Sequence, residues 1–323
     1  MKFKFSWKYN VAARIKLLAR FFRLDIRYGV QIGLSRFIIV RNKILYEIDS
    51  ITKNISPGCQ LPRGNHPLNI VHIAIDGFDE AFYFGEYFLN FKKVPVGIYK
   101  RNDVDIWEKV YEFKNGEINH IHNLIPDETN KCVWILTGDF EKSAAIYQAR
   151  NNFKEVIVVC SGEQIYRSCV AFPHKGGFLY ATDTPFQRNT LRYLHKENDQ
   201  WVNESIAEIN GSVGDSTTVS GYFVFSTMVE GDGREAEKSF LKYILNNKKG
   251  AGIIRNECVV YRIGDTDLPI EILSNKKDML PFVFFQFGIV KFPTGKNQSN
   301  YLPLYNIGTK KHDLSLALYK LTS

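Results

Sequence analysis

The chain has 323 residues, of which 45% are hydrophobic and 24% are charged, so it is long enough to bury a core and is not a disordered chain. Its net charge is +8, and residues 1–30 hold eight Lys or Arg against one Asp, which leaves the remainder nearly neutral. A nucleic-acid-binding domain would spread basic residues over a groove, so we expect no nucleic-acid partner. No run of 18 apolar residues occurs, and we expect no transmembrane span.

Residues 1–30 are predicted to form a basic amphipathic helical segment, with the helix between about 8 and 24. Four apolar residues recur at spacings of four, three and four: Val11, Ile15, Leu18 and Phe22. Four basic residues follow the same spacing on another face: Lys16, Arg20, Arg23 and Arg27. Such a helix either lies on an anionic membrane surface or packs its apolar stripe against the following domain.

The cysteines and the N-terminus together predict a cellular location. The five cysteines are odd in number and lack CxxC spacing, which favours reduced, buried thiols. Basic residues interrupt the apolar stretch that a signal peptide would need. We therefore expect a cytoplasmic protein, with a peripheral position at the inner face of the membrane as the alternative.

From residue 31 the sequence is typical of an all-β protein, and we predict a single β-propeller domain over 31–323. Short runs rich in Val, Ile, Tyr and Phe alternate with Gly, Asn, Asp and Pro. Four stretches of such runs resemble one another, at 69–113, 120–159, 168–209 and 215–275. The second runs share a threonine and the third runs share a tyrosine: Thr137, Thr182 and Thr227, and Tyr99, Tyr147 and Tyr193. Four antiparallel strands every 45 to 50 residues are what a propeller blade requires.

We expect six blades, with five or seven as alternatives. The four repeats supply four blades, and residues 280–307 supply a fifth. Residues 37–49 are expected to form the sixth blade together with a strand from 314–321, so that the first and last strands share a blade and leave no open edge. The helical pattern at about 234–248 is interpreted as an insertion within the repeat at 215–275.

The repeats resemble a known family. The motifs are YFGEYF (83–88), IYKRNDVDIWEKVYEF (98–113), NHIHN (119–123), VWILTGD (133–139) and YATDTP (180–185). They resemble the BNR/Asp-box, sialidase-like propellers, and more closely the uncharacterised propeller proteins of bacterial surface-polysaccharide gene clusters. The resemblance implies a propeller fold and a glycan or oligosaccharide as the partner.

Polar residues directly after the apolar runs are candidates for chemistry, because the inner strands of a propeller converge at the mouth of its channel. Paired carboxylates suit glycoside hydrolysis, in which a protonated one serves the leaving oxygen and an ionised one acts as base or nucleophile. We assign three acids to this chemistry: Glu86, Asp139 and Asp183. The remaining candidates are assigned to substrate binding: Arg167, Glu230 and Tyr166. Arg167 would neutralise a sugar carboxylate or pair with Asp183.

His120 and His122 form the sharpest local pattern, since a spacing of two on a strand puts both rings on one face. With Glu117 they would offer ligands to a metal ion. Alternatively, one imidazole abstracts the proton next to a uronate carboxylate, as in a polysaccharide lyase, or both rings fill the channel through hydrogen bonds. No cofactor is expected, and a divalent metal is the alternative.

These observations predict a carbohydrate-active propeller of bacterial surface-polysaccharide metabolism with glycoside hydrolase-like chemistry. Two alternatives stay open. One is a non-catalytic propeller that binds a glycan or a protein. The other is a metal- or His-dependent polysaccharide lyase that uses His120 and His122.

Overall fold

A computed structural model describes residues 11–24, 28–139, 141–231, 240–264, 266–294, 296–297 and 299–321 of the chain. The strands form six sheets, which are the blades of a β-propeller, so the predicted fold class and the count of six are confirmed. The described helices are α1 (Lys16–Phe21), α2 (Phe240–Ile244) and α3 (Phe282–Phe285), with 3-10 turns at Glu141–Ser143 and Gln164–Tyr166. Within the described residues, no helix has the length and apolar character needed to cross a membrane.

Blades 1 to 4 are four-stranded and antiparallel, with their strands consecutive in the chain. Blade 1 contains β1 (Tyr28–Gln31), β2 (Arg36–Arg41), β3 (Ile44–Asp49) and β4 (Cys59–Gln60). Blade 2 contains β5 (Val71–Ile73), β6 (Ala81–Gly85), β7 (Val96–Asp103) and β8 (Ile106–Phe113). Blade 3 contains β9 (His120–Asp127), β10 (Cys132–Gly138), β11 (Ala145–Arg150) and β12 (Glu155–Ser161). Blade 4 contains β13 (Ser168–His174), β14 (Gly177–Thr182), β15 (Asn189–Glu197) and β16 (Gln200–Ile209).

Blades 5 and 6 depart from this pattern. Blade 5 contains β17 (Val213–Val219), β18 (Tyr222–Thr227), β19 (Glu257–Ile263) and β20 (Pro269–Lys276), and β22 (Lys296–Asn297) adds to β17 in parallel. Blade 6 contains β21 (Ile289–Lys291), β23 (Tyr301–Ile307) and β24 (Ser315–Lys320). Part of the helical insertion predicted at about 234–248 lies outside the described residues, and α2 falls within the rest.

The predicted sharing of a blade by the first and last strands is wrong. The last strand, β24, pairs antiparallel with β23, while β2 and β3 are flanked by β1 and β4. Only seven residues separate β23 from β24, so their hairpin costs far less loop-closure entropy than a pairing with the other end of the chain.

The chain divides into two compact units. The first comprises Met1–Asp25, Asp183–Leu191 and Ile206–Ser323 and holds blades 5 and 6. The second comprises Ile26–Thr182 and Arg192–Ser205 and holds blades 1 to 3, and blade 4 contributes residues to both units. The single domain predicted over 31–323 stays a prediction.

Strand β10 shows why strands of the second unit have continuous apolar runs in their sequence. All seven of its residues are buried. Val133 and Ile135 pack in the core between blades 2 and 3, whereas Trp134 and Leu136 pack with residues of blade 4. Because side chains alternate along a strand, a sheet covered on both faces needs apolar residues at every position.

The five cysteines are free thiols. Burial raises the pKa of Cys132 to about 12 and that of Cys160 to about 11, so both thiols stay protonated at neutral pH. Of the cysteines predicted to be buried, Cys132 and Cys258 are buried, whereas Cys160 and Cys169 are half-buried.

The predicted continuous helix over about 8 to 24 is wrong in its described part. The backbone at Ile15 is extended, and α1 covers only Lys16–Phe21. Of the two placements predicted for the apolar stripe, packing against the domain is not observed, because Val11, Ile15 and Phe22 are exposed while the side chain of Arg20 is 2% exposed. Its guanidinium binds the carboxylate of Asp278 and the carbonyl oxygen of Phe285, and these bonds turn the apolar stripe outward.

We expect acid to loosen the attachment of α1. Burial raises the pKa of Asp278, but hydrogen bonds from Lys277 and Arg20 outweigh it and hold the pKa below its usual value. A depressed carboxylate pKa contributes stability above the unfolded pKa of about 4 and loses it as the pH falls further. Hydrogen-exchange protection factors of α1 should therefore fall between about pH 5 and pH 3. In Asp278→Asn this dependence should disappear, and constant protection in the wild type would contradict the assignment.

Candidate functional site

The site is built on β9, the edge strand of blade 3. His120 and His122 lie two residues apart on this strand, and each is 3% exposed. Their Nε2 atoms approach to 3.0 Å. The spacing of two therefore does bring both rings to one face, as expected from the pleat of a strand.

Backbone carbonyl groups fix the tautomer of both rings. His120 Nδ1 lies 3.1 Å from the carbonyl oxygen of Phe88, and His122 Nδ1 lies 3.0 Å from that of Ser168. A carbonyl oxygen only accepts, so both Nδ1 atoms carry the hydrogen and donate. A neutral ring then has a lone pair on Nε2, whereas a ring protonated on both nitrogens has an N–H there that donates to the other Nε2 or to Asp139.

Asp139 closes the site from the end of β10. Its Oδ2 lies 3.3 Å from His120 Nε2, and its Oδ1 lies 3.4 Å from His122 Nε2. Arg167 Nη2 lies 3.3 Å from the same Oδ1. Burial raises the pKa of this carboxyl, but hydrogen bonds from the two histidines and the charge of Arg167 outweigh it and hold the pKa far below its usual range. Asp139 is therefore a carboxylate at neutral pH.

Close packing holds these groups in place. The backbone oxygen of Asp139 accepts hydrogen bonds from Gln164 Nε2 at 2.8 Å and from Arg167 at 3.5 Å. The ring of Tyr87 lies 4.4 Å from that of His120, between centroids. A Cβ at Gly138 would lie 2.2 Å from His122 Cε1, so this position requires glycine.

A metal ion fits this arrangement of donors. The three donor atoms lie within 4.8 Å of one another. Metal-bound histidines usually donate their second ring nitrogen to a carbonyl or carboxylate, as both rings do here. With metal–nitrogen bonds of about 2.05 Å, an Nε2 separation of 3.0 Å corresponds to an angle of about 95° at the metal. Two histidines and one carboxylate suit zinc, manganese or iron.

Glu86 does not join this cluster through its carboxylate. The side chain is buried, and its oxygens accept hydrogen bonds from Arg63 and, at 2.7 Å, from the backbone N–H of Gly97. Its carbonyl oxygen accepts from the N–H of Ile121 at 3.0 Å. Glu86 thus ties blade 2 to the histidine strand.

Glu117 and Tyr166 have other hydrogen-bond partners. Glu117 is exposed, and its carboxylate accepts from the N–H of Lys114 at 2.7 Å, so it closes a turn before the strand begins. Burial raises the pKa of Tyr166, which hydrogen-bonds Asn203. Among the described residues, Asp139 is the carboxylate whose oxygens lie with both imidazoles in one possible metal-binding group, and the set predicted with Glu117 stays a prediction.

Asp183 and Glu230 belong to the first unit. Both are buried, at 2% and 7% exposure. The role assigned to each from the sequence stays a prediction.

No protein-family model and no curated protein matches the chain. Among solved structures, hydrazine synthase from Kuenenia stuttgartiensis is similar over 84% of this chain and 70% of its own, with 12% identity and a TM-score of 0.51. The extracellular domain of a hybrid two-component system from B. thetaiotaomicron is similar over 92% of this chain and 33% of its own, with 11% identity and a TM-score of 0.49. A chain of the mitotic checkpoint complex is similar over 90% and 74%, with 6% identity and a TM-score of 0.48. The likeness to hydrazine synthase supports the propeller fold.

Proposed function

We propose that this chain is a carbohydrate-active propeller, a metal-dependent lyase that acts on an acidic glycan in bacterial surface-polysaccharide metabolism. The observation that carries the proposal is the pair of Nε2 atoms, 3.0 Å apart and facing the carboxylate of Asp139. Two neutral rings with lone pairs at this distance repel each other, and either a proton shared by the two nitrogens or a metal cation bound by both removes the repulsion. The glycan rests on the resemblance of the repeats to sialidase-like propellers.

A divalent cation at this site suits elimination next to a uronate carboxylate. When bound, such a cation would act as a Lewis acid on the substrate carboxylate and would make the neighbouring C–H more acidic. The proton removed from that carbon would pass to water, a carbon–carbon double bond would form as the glycosidic C–O bond breaks, and the leaving oxygen would take up a proton from water. His120, His122 and Asp139 hold the cation, and Arg167 holds Asp139 and adds positive charge.

The contacts support hydrolysis by a carboxylate pair less well. That chemistry requires one protonated carboxyl group. Asp139 has a strongly lowered pKa, and the oxygens of Glu86 are bound by Arg63 and Gly97. Neither group is arranged to deliver a proton.

The test uses the full chain after treatment with a chelator. We expect no product from acidic polysaccharides without metal. After addition of Zn²⁺ or Mn²⁺, ultraviolet absorption of a conjugated unsaturated uronate should appear. Asp139→Asn should lower the rate about a hundredfold, whereas Asp76→Asn, at an exposed carboxylate paired with Lys131, should leave it unchanged. New reducing ends without unsaturated product would favour hydrolysis, and binding without any product would favour a non-catalytic propeller.

A further inference from the structure

We propose that a surface of the first unit binds anionic lipid bilayers. This lipid-binding surface consists of exposed apolar residues on α1, near α2 and before α3: Leu17, Phe21, Phe22, Leu241, Leu245 and Met279. It extends beyond the N-terminal segment that the sequence suggested for membrane contact.

Contacts between the three segments make the surface continuous. The ring of Phe21 stacks on that of Phe284 in α3, with centroids 5.7 Å apart. Leu17 and Met279 line the same cavity. The side chain of Asn247, just after α2, donates to the carbonyl oxygen of Met279 at 3.3 Å. The three segments that carry the exposed apolar side chains are therefore neighbours within the first unit.

The orientation of α1 is the reverse of that of a helix packed on a core. The side chains of Phe21 and Phe22 are 43% and 52% exposed, whereas that of the preceding residue, Arg20, is 2% exposed. The carbonyl oxygen of Arg20 also accepts a hydrogen bond from Gln286 at 3.2 Å. The fold thus uses buried polar bonds to hold aromatic rings in the solvent, an arrangement that is typical of an interaction surface.

Charge identifies the occupant as an anionic bilayer. The stretches 11–24, 240–249, 276–288 and 307–314 hold eleven Lys and Arg residues and two Asp residues. The structure pairs both carboxylates, Asp278 and Asp313, with Arg20, so they offset little of the outer positive charge. Aromatic rings among lysines and arginines match the boundary between headgroups and acyl chains of an anionic leaflet.

Vesicle sedimentation with the full chain tests the proposal. We expect binding to vesicles of phosphatidylcholine and phosphatidylglycerol at 3:1, and little binding to phosphatidylcholine alone. Phe22→Ser and Lys16→Glu should each lower the bound fraction at least about fivefold. Ile51→Ser removes a side chain that is 77% exposed in the second unit, and it should bind like the wild type.

Thermal unfolding should confirm that each variant folds. Equal binding to neutral and anionic vesicles, or full binding by Phe22→Ser and Lys16→Glu, would overturn the proposal. Light scattering without vesicles measures self-association of the chain, and we expect the wild type to show none that depends on Phe22 or Lys16. If the wild type self-associates and Phe22→Ser and Lys16→Glu abolish this association, the surface binds a second copy of the chain and the bilayer is the wrong occupant.

Discussion

His122→Ala is expected to weaken the binding of Zn²⁺ or Mn²⁺ at least about a hundredfold. The variant removes one of two nitrogen ligands and leaves His120 with Asp139 alone. Isothermal titration of chelator-treated protein measures the effect directly. A large loss requires that the facing Nε2 atoms bind a cation, because a hydrogen-bonded channel filler would give no saturable signal in the wild type.

A matched histidine provides the control for this experiment. His72 lies on β5, 3.4 Å from Glu80, and its side chain is 45% exposed. His72→Ala should leave metal affinity unchanged. If His122→Ala binds as tightly as the wild type while folded, or if the wild type binds no divalent cation, the site does not hold a metal.

The carboxylate ligand, Asp139, shows how far the sequence could predict the site. A spacing of two placed His120 and His122 on one face, because the pleat of a strand is local. Asp139 comes from the neighbouring strand, where Gly138 pairs with His120 after a shift in register between Leu136 and Thr137. No local pattern reveals such a bulge, so the sequence put Asp139 among the acids and Glu117 with the histidines.

The repeated blades could be predicted from the sequence better than the orientation of α1 near the N-terminus. Repeats of about 45 residues reflect a local requirement, since each blade needs four short strands and both faces covered. The reversal of α1 depends instead on a bond between Arg20 and Asp278, which are 258 residues apart. Apolar periodicity alone leaves the stripe either on a membrane surface or against the domain, because the pattern does not include Asp278, the partner of the buried guanidinium.

Trp134→Ala is expected to cause the largest loss of stability among substitutions in the second unit. Trp134 is fully buried on β10, its ring centroid lies 4.5 Å from that of Phe178, and its Nε1 donates to Asp127 at 2.9 Å. Removing it leaves a cavity beside Phe178, and the Oδ2 atom of Asp127 keeps only its hydrogen bond from Asn130. We expect a loss of about 3–5 kcal/mol in the free energy of unfolding, measured by urea denaturation.

Two further variants separate packing from hydrogen bonding. Trp134→Phe keeps most of the contact with Phe178 and loses only the bond to Asp127, so it should cost about 1–3 kcal/mol. Ile106→Ala, at a side chain that is 56% exposed on β8, should stay within about 0.5 kcal/mol of the wild type. Unfolding of Trp134→Ala at the same urea concentration as Ile106→Ala would contradict this expectation. It would mean that Trp134 is only loosely packed against blade 4, because removal of a loosely packed ring creates no cavity.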